Sequence, residues 1–127
     1  MRSAADHARL LLAKADDDAY VVNRLVADPL SPEWVIGFHA QQAVEKALKA
    51  VLARHGIEFP RTHNIAMLVE LLRRGSRAIP PDAEDLPRLT PFGVTQRYDD
   101  VASDDETPLD RTWATAVVAR TLSWAAG

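Results

Sequence analysis

Apolar residues recur along this chain at intervals of three, four or seven, the rhythm of one helix face. From Ser3 to about Ala27 the positions are Ala4, Ala8, Leu11, Ala15, Val22 and Leu25. Short side chains dominate the first half, which suits close packing against another helix. Asp28-Pro29 and Ser31-Pro32 break the pattern, and Ser31 reads as an N-cap with Pro32 in the first turn. A second helix is predicted from there to about His55, with Gly56 as its C-terminal stop. "IEFPRTHN" is a loop, after which Thr62 or Asn64 caps a third helix running through Leu72 and ending near Gly75. "IPPDAEDLP" restarts the chain, with Asp82, Glu84 and Asp85 suited to the positive end of a fourth helix that Pro91 kinks or breaks. "DDVASDDETP" is an acidic loop, and Thr107-Pro108 opens a last helix with Leu109, Trp113, Ala116, Val117, Arg120 and Trp124 on one side. No alternating strand pattern and no internal repeat is present. The expected fold is all-α: one domain over residues 1–127, an up-and-down helical bundle of four to five helices.

The second helix carries an irregularity. Trp34, Phe38, Gln41, Glu45, Leu48 and Leu52 form one stripe, spaced 4-3-4-3-4. Four of the six are large and apolar, so the stripe should face the core or a partner chain. Gln41 and Glu45 sit in its middle, one helical turn apart. An unpaired buried polar group costs roughly 1–3 kcal/mol, more if charged. The two must therefore meet each other, a helix across the bundle, a symmetry mate or a ligand. Either they form a hydrogen-bond network that fixes helix register, or they mark a dimer contact or the floor of a nucleotide pocket. Lys46 and Lys49 lie towards one flank, where they can stay solvated.

Composition narrows the function classes. With 15 Lys plus Arg against 18 Asp plus Glu, the net charge of −3 gives no global attraction to nucleic acid or anionic membrane. The absence of cysteine excludes disulfides, thiolate catalysis and cysteine-based zinc sites. "MRSAADHARLLLAKADDDAY" is charged throughout and has no long apolar core, so no signal peptide, membrane anchor or membrane association is expected, and the expected location is cytoplasmic. The histidines are His7, His39, His55 and His63, and no two have the i, i+4 spacing of a metal site, so no metal and no cofactor is expected. "ADDDAY" reads as a charged solvent face. His39 lies off the apolar stripe, and His55 suits the negative end of its helix.

"FHAQQAVEKALKAVLARHGIEFPRTHNIAMLVELL" closely resembles the signature region of the HEPN domain family, named for higher eukaryotes and prokaryotes nucleotide-binding. The shared features are an aromatic-x-A-Q-Q-A-x-E-K-x-L-K helix, a short loop and a T-H-(N/D)-(I/L) run. "LTPFGVTQRYDD" is similar to the family's fourth-helix ending, in which an Arg-Tyr pair precedes an acidic or proline loop. The resemblance extends over nearly the whole chain. It implies a four- to five-helix bundle, commonly a homodimer. Many members are metal-independent ribonucleases with an Arg-x(4–6)-His motif, in which His is general base towards a ribose 2′-hydroxyl and Arg holds the phosphate. Others are encoded beside a minimal nucleotidyltransferase as a toxin–antitoxin pair, and others act as binding or scaffold modules.

This sequence departs from the ribonuclease pattern, because Arg97 is followed by "YDDVASD" with no histidine in reach. Only Arg2 and His7 satisfy Arg-x(4)-His, away from the usual location. A nucleotidyltransferase centre would need a glycine-serine turn and paired aspartates on a strand, so a partner must supply that chemistry. The expected function is a non-catalytic, homodimeric, nucleotide- or partner-binding module acting with a separately encoded nucleotidyltransferase. A ribonuclease toxin using Arg97 and His63 on RNA is the alternative, and a purely structural bundle is the third reading. Gln41, Glu45, Arg97 and Tyr98 are expected to form one polar cluster at or near the dimer interface. Arg61 and His63, with the first amides of the third helix, are candidates for contact with an anion.

Overall fold

The computed structural model describes residues 3–76, 78–93 and 108–127. Its helices are α1 (Ala4–Val26), α2 (Glu33–Arg54), α3 (Ile65–Gly75), α4 (Thr90–Gly93) and α5 (Arg111–Ala126), with a 3₁₀ turn at Leu86–Leu89 before α4. The described residues contain no strand, and the all-α bundle read from the periodicity is the fold observed. The ends differ in detail from expectation. α1 starts with a capping box in which Ser3 and Asp6 exchange hydrogen bonds. Pro32, not Ser31, takes the N-cap of α2, and no side chain caps it. Gly56 does close α2, at φ +71, and Asn64 rather than Thr62 caps α3 through the Met67 amide. The fourth helix is broken as Pro91 suggested, reduced to the 3₁₀ turn and the single turn of α4. Asp110 caps α5, three residues after the expected opening.

α2 is the axis of the fold. Thirteen of its 22 residues are buried against four of the 23 in α1, so α2 is wrapped by its neighbours while α1 covers one side. α1 and α2 form an antiparallel hairpin: Ala8 packs with Ala50 and Ala53, while Asp18 reaches His39 and Lys46. Of the small residues expected to permit close approach in the first helix, Ala8 and Ala15 are buried and Ala4 is exposed, and α2 meets them with Ala40, Ala43, Ala47 and Ala50, all fully buried. Leu48, Leu52, Leu68, Leu72, Leu86 and Leu89 fill the space between α2, α3 and the 3₁₀ turn. Each contributes about 1.5–3 kcal/mol by leaving water. α5 closes the remaining side with Ala114, Val117, Val118 and Ala125. Trp34, the first residue of the apolar stripe, is not in this core and stays half-exposed.

One arginine fastens the last helix to the turn between the first two. Arg111, at the start of α5, donates through Nη1 to the carbonyls of Val26 (3.4 Å) and Asp28 (2.9 Å), and through Nη2 to that of Ser31 (2.7 Å). Its Nε pairs with Glu33 at 2.7 Å, and Glu33 also accepts from the Leu109 amide at 3.3 Å. The α1–α2 loop thus has its carbonyls satisfied by a side chain from the last helix.

α4 sits directly on α2. A Cβ on Gly37 would fall 2.3 Å from the Phe92 ring, and one on Gly93 would fall 2.3 Å from Gln41 Cδ. Two glycines therefore set the approach of this segment to the polar middle of α2.

Candidate functional site

The buried carboxylate of Glu45 is the centre of the best-formed polar site. Its side chain is 5% exposed. Oε1 accepts from Gln41 Nε2 at 2.8 Å and lies 2.8 Å from His63 Nδ1, while Oε2 accepts from Lys49 Nζ at 2.7 Å. Gln41 is fully buried; its Nε2 also donates to the His63 carbonyl at 3.2 Å, and its Oε1 accepts from Gln42 at 2.8 Å. The expectation that Gln41 and Glu45 meet each other is thus observed, and the loop before α3 supplies a third member, His63. Burial pushes the Glu45 carboxyl up, but hydrogen bonds from Lys49, Gln41 and His63 outweigh it and hold it below the usual carboxylate value. An ionised carboxylate can only accept, so Nδ1 of His63 carries the proton and donates it. The ring itself is 62% exposed. Nε2, the lone-pair nitrogen of that tautomer, has no hydrogen-bond partner among the described residues.

A second carboxylate–histidine–lysine cluster joins the same stretch of α2 to α1. Asp18 of α1, 8% exposed, accepts from Lys46 Nζ at 2.6 Å and lies 2.8 Å from His39 Nδ1. The "ADDDAY" run is therefore not uniformly a solvent face, since its third aspartate is buried between α1 and α2. Nor are the lysines freely solvated: Lys46 and Lys49 are each mostly covered and each bound to a carboxylate. The His39 ring packs edge-on against Phe38, with centroids 5.2 Å apart. Between Val35 and Ala53 of α2, only Val35, Phe38, His39, Gln42, Lys46 and Lys49 retain some surface, a narrow polar strip between the clusters.

The other sequence candidates are distributed as follows. Arg97 and Tyr98, expected to join Gln41 and Glu45, lie outside the described residues, as does Arg2. Arg61 is exposed. Of the amides proposed with it for anion contact, those of Ile65 and Met67 are used within the fold, donating to Thr90 Oγ1 and Asn64 Oδ1, and the preceding Asn64 amide donates to Thr62 Oγ1. His7 lines an open cleft of about 470 Å³ with Ala53, Gly56, Ile57, Glu58 and Phe59, at the end of α2 remote from His39. Among the described residues no group of three or more His, Asp or Glu could hold a metal ion, and no helix is long and apolar enough to cross a membrane.

The model of the HEPN domain matches residues 8–123. The chain belongs to the HEPN domain family. It is also 42% identical over 55 residues to "Putative toxin MJ1304" of Methanocaldococcus jannaschii, an alignment covering 43% of this chain and 35% of that protein. The chain thus matches about a third of that relative's length. No solved structure matches it. In this HEPN domain the run from Gln41 to Lys49 has a physical reading. Gln41, Glu45 and Lys49, four apart, build the Glu45 site; Gln42 braces Gln41; Lys46 turns to Asp18.

Proposed function

We propose that this HEPN domain is the toxin-type member of a two-protein system. On this reading it is a homodimeric, non-catalytic module that binds a nucleotide or protein partner and acts with a separately encoded nucleotidyltransferase. One observation carries it: the charged groups of the polar strip are spent on each other. Lys49 neutralises Glu45 and Lys46 neutralises Asp18, so neither lysine stands free to hold an RNA phosphate. The similarity to a protein named as a toxin supports the biological class. Association with another chain is supported by large apolar side chains at the surface, Leu30 at 89% and Tyr20 at 62% exposure, with Trp34 half-exposed at the start of α2.

The ribonuclease reading has its own supporting observation, the carboxylate-held His63 ring, which has the orientation a general base requires. RNA incubated with the purified protein in EDTA, beside Arg97→Ala and His63→Ala, separates the two. Intact RNA with folded, dimeric wild type, together with co-purification of a co-expressed nucleotidyltransferase, is the expected result. Cleavage that either substitution abolishes overturns the non-catalytic reading.

A further inference from the structure

Of the histidines whose surroundings are described, His63 combines two properties found together nowhere else. Its Nδ1 is fixed 2.8 Å from a carboxylate that is itself buried and held by Gln41 and Lys49, yet most of its ring faces solvent. His39 has an equivalent carboxylate bond to Asp18, but its ring is only 28% exposed and is covered on one side by Phe38. His7 and His55 are exposed but have no carboxylate partner among the described residues. A ring held to a buried carboxylate through one nitrogen and open at the other has the arrangement of an oriented nucleophile. The anion does three things chemically. It fixes the tautomer, so the outward nitrogen bears the lone pair; it fixes the ring plane; and it compensates the positive charge that develops on the ring when Nε2 forms a bond.

We infer that His63 is a nucleophilic acceptor site, at which Nε2 takes up a phosphoryl group from a small donor with an activated P–N or P–O anhydride bond. The Nε2 lone pair forms the N–P bond as the bond from phosphorus to the leaving group breaks. With phosphoramidate as donor, the leaving group departs as ammonia. The Nδ1 proton remains in its hydrogen bond to Glu45, so the phosphorylated ring is an imidazolium whose positive charge is balanced by the Glu45 carboxylate. Loss of that proton to water then leaves the ring of the phosphoimidazole neutral. No metal, oxidant or reductant takes part. The site makes the chain a target of group transfer, independent of the binding reading above, and its failure would leave that reading untouched.

The test uses the full chain with potassium phosphoramidate, following each histidine by mass spectrometry of alkaline digests. His63 should be modified about tenfold faster than His7 and His55, which are also exposed, in the same sample. His39 should be slower than His63, because access to it is restricted. In Glu45→Gln the His63 rate should fall to that of His7 and His55, whose rates stay unchanged. A wild-type His63 rate no higher than those of His7 and His55 overturns the inference. So does a folded Glu45→Gln protein in which His63 keeps its advantage. If circular dichroism shows that this variant does not fold, the comparison within wild type decides alone.

Discussion

The Glu45 and Asp18 clusters each join a carboxylate to a histidine and a lysine and both draw on α2, yet they are built for different situations. Each carboxylate receives a lysine on one oxygen and a histidine Nδ1 on the other. Asp18 joins two long helices along their length, and its partners keep about a quarter of their surface. Glu45 joins α2 to the loop before α3, receives an additional amide from Gln41, and has its lysine more deeply covered. The Asp18 cluster is a strap whose members can return to water if it is cut. Cutting the Glu45 cluster leaves a mostly covered ammonium without its acceptor and takes one of two acceptors from a fully buried amide. Similar ion-pair distances therefore carry different energetic weight, and the depth of the partners sets the difference.

The largest effect is expected from Glu45→Ala, which should destabilise the protein by about 3 kcal/mol in chemical denaturation, because Lys49 loses its acceptor and Gln41 loses one of its two. A change within about 0.5 kcal/mol would remove the distinction drawn here. Gly93→Ala acts on the same cluster from the other side. Its methyl group would press on Gln41, and a loss of about 2 kcal/mol is expected from overpacking. Asp18→Ala should cost less, about 1 kcal/mol, since His39 and Lys46 can be rehydrated; equal costs for Asp18→Ala and Glu45→Ala would show that depth is not the controlling variable. The smallest effect is one of pH. Because the folded protein holds the Glu45 carboxyl below its ordinary 4.5, its ionisation stabilises the fold above that pH, and the contribution is lost as pH falls through the lower folded value. Stability followed into acid should therefore fall more steeply in wild type than in Glu45→Gln, and parallel curves would argue against it.

The helical class and most helix ends were legible because they rest on local signals: period, caps and breakers. The Glu45 site was half legible. A polar pair on an apolar stripe announces a buried network, but nothing local says what crosses to meet it, and His63 arrives from a loop 18 residues on. The expectation placed Arg97 there, on a segment outside the described residues. Asp18 was missed although a signal existed. It stands three residues after Ala15 and four before Val22, both fully buried, and so on the inner face of α1. Three adjacent aspartates suggest solvent by composition, and here periodicity was the better guide. Ser31 failed as a cap for a non-local reason too, since the Arg111 fork holds that turn from the far end of the chain.

That fork also sets a rule for sequence change. A guanidinium is planar and its donors have fixed spacing, so the carbonyls of Val26, Asp28 and Ser31 must stay in the positions that match it. Insertion or deletion of a single residue between Val26 and Glu33 would move at least one of them out of reach. The short turn between the first two helices has therefore lost the freedom of length that surface loops ordinarily enjoy, and relatives that keep this arginine should keep that turn at constant length.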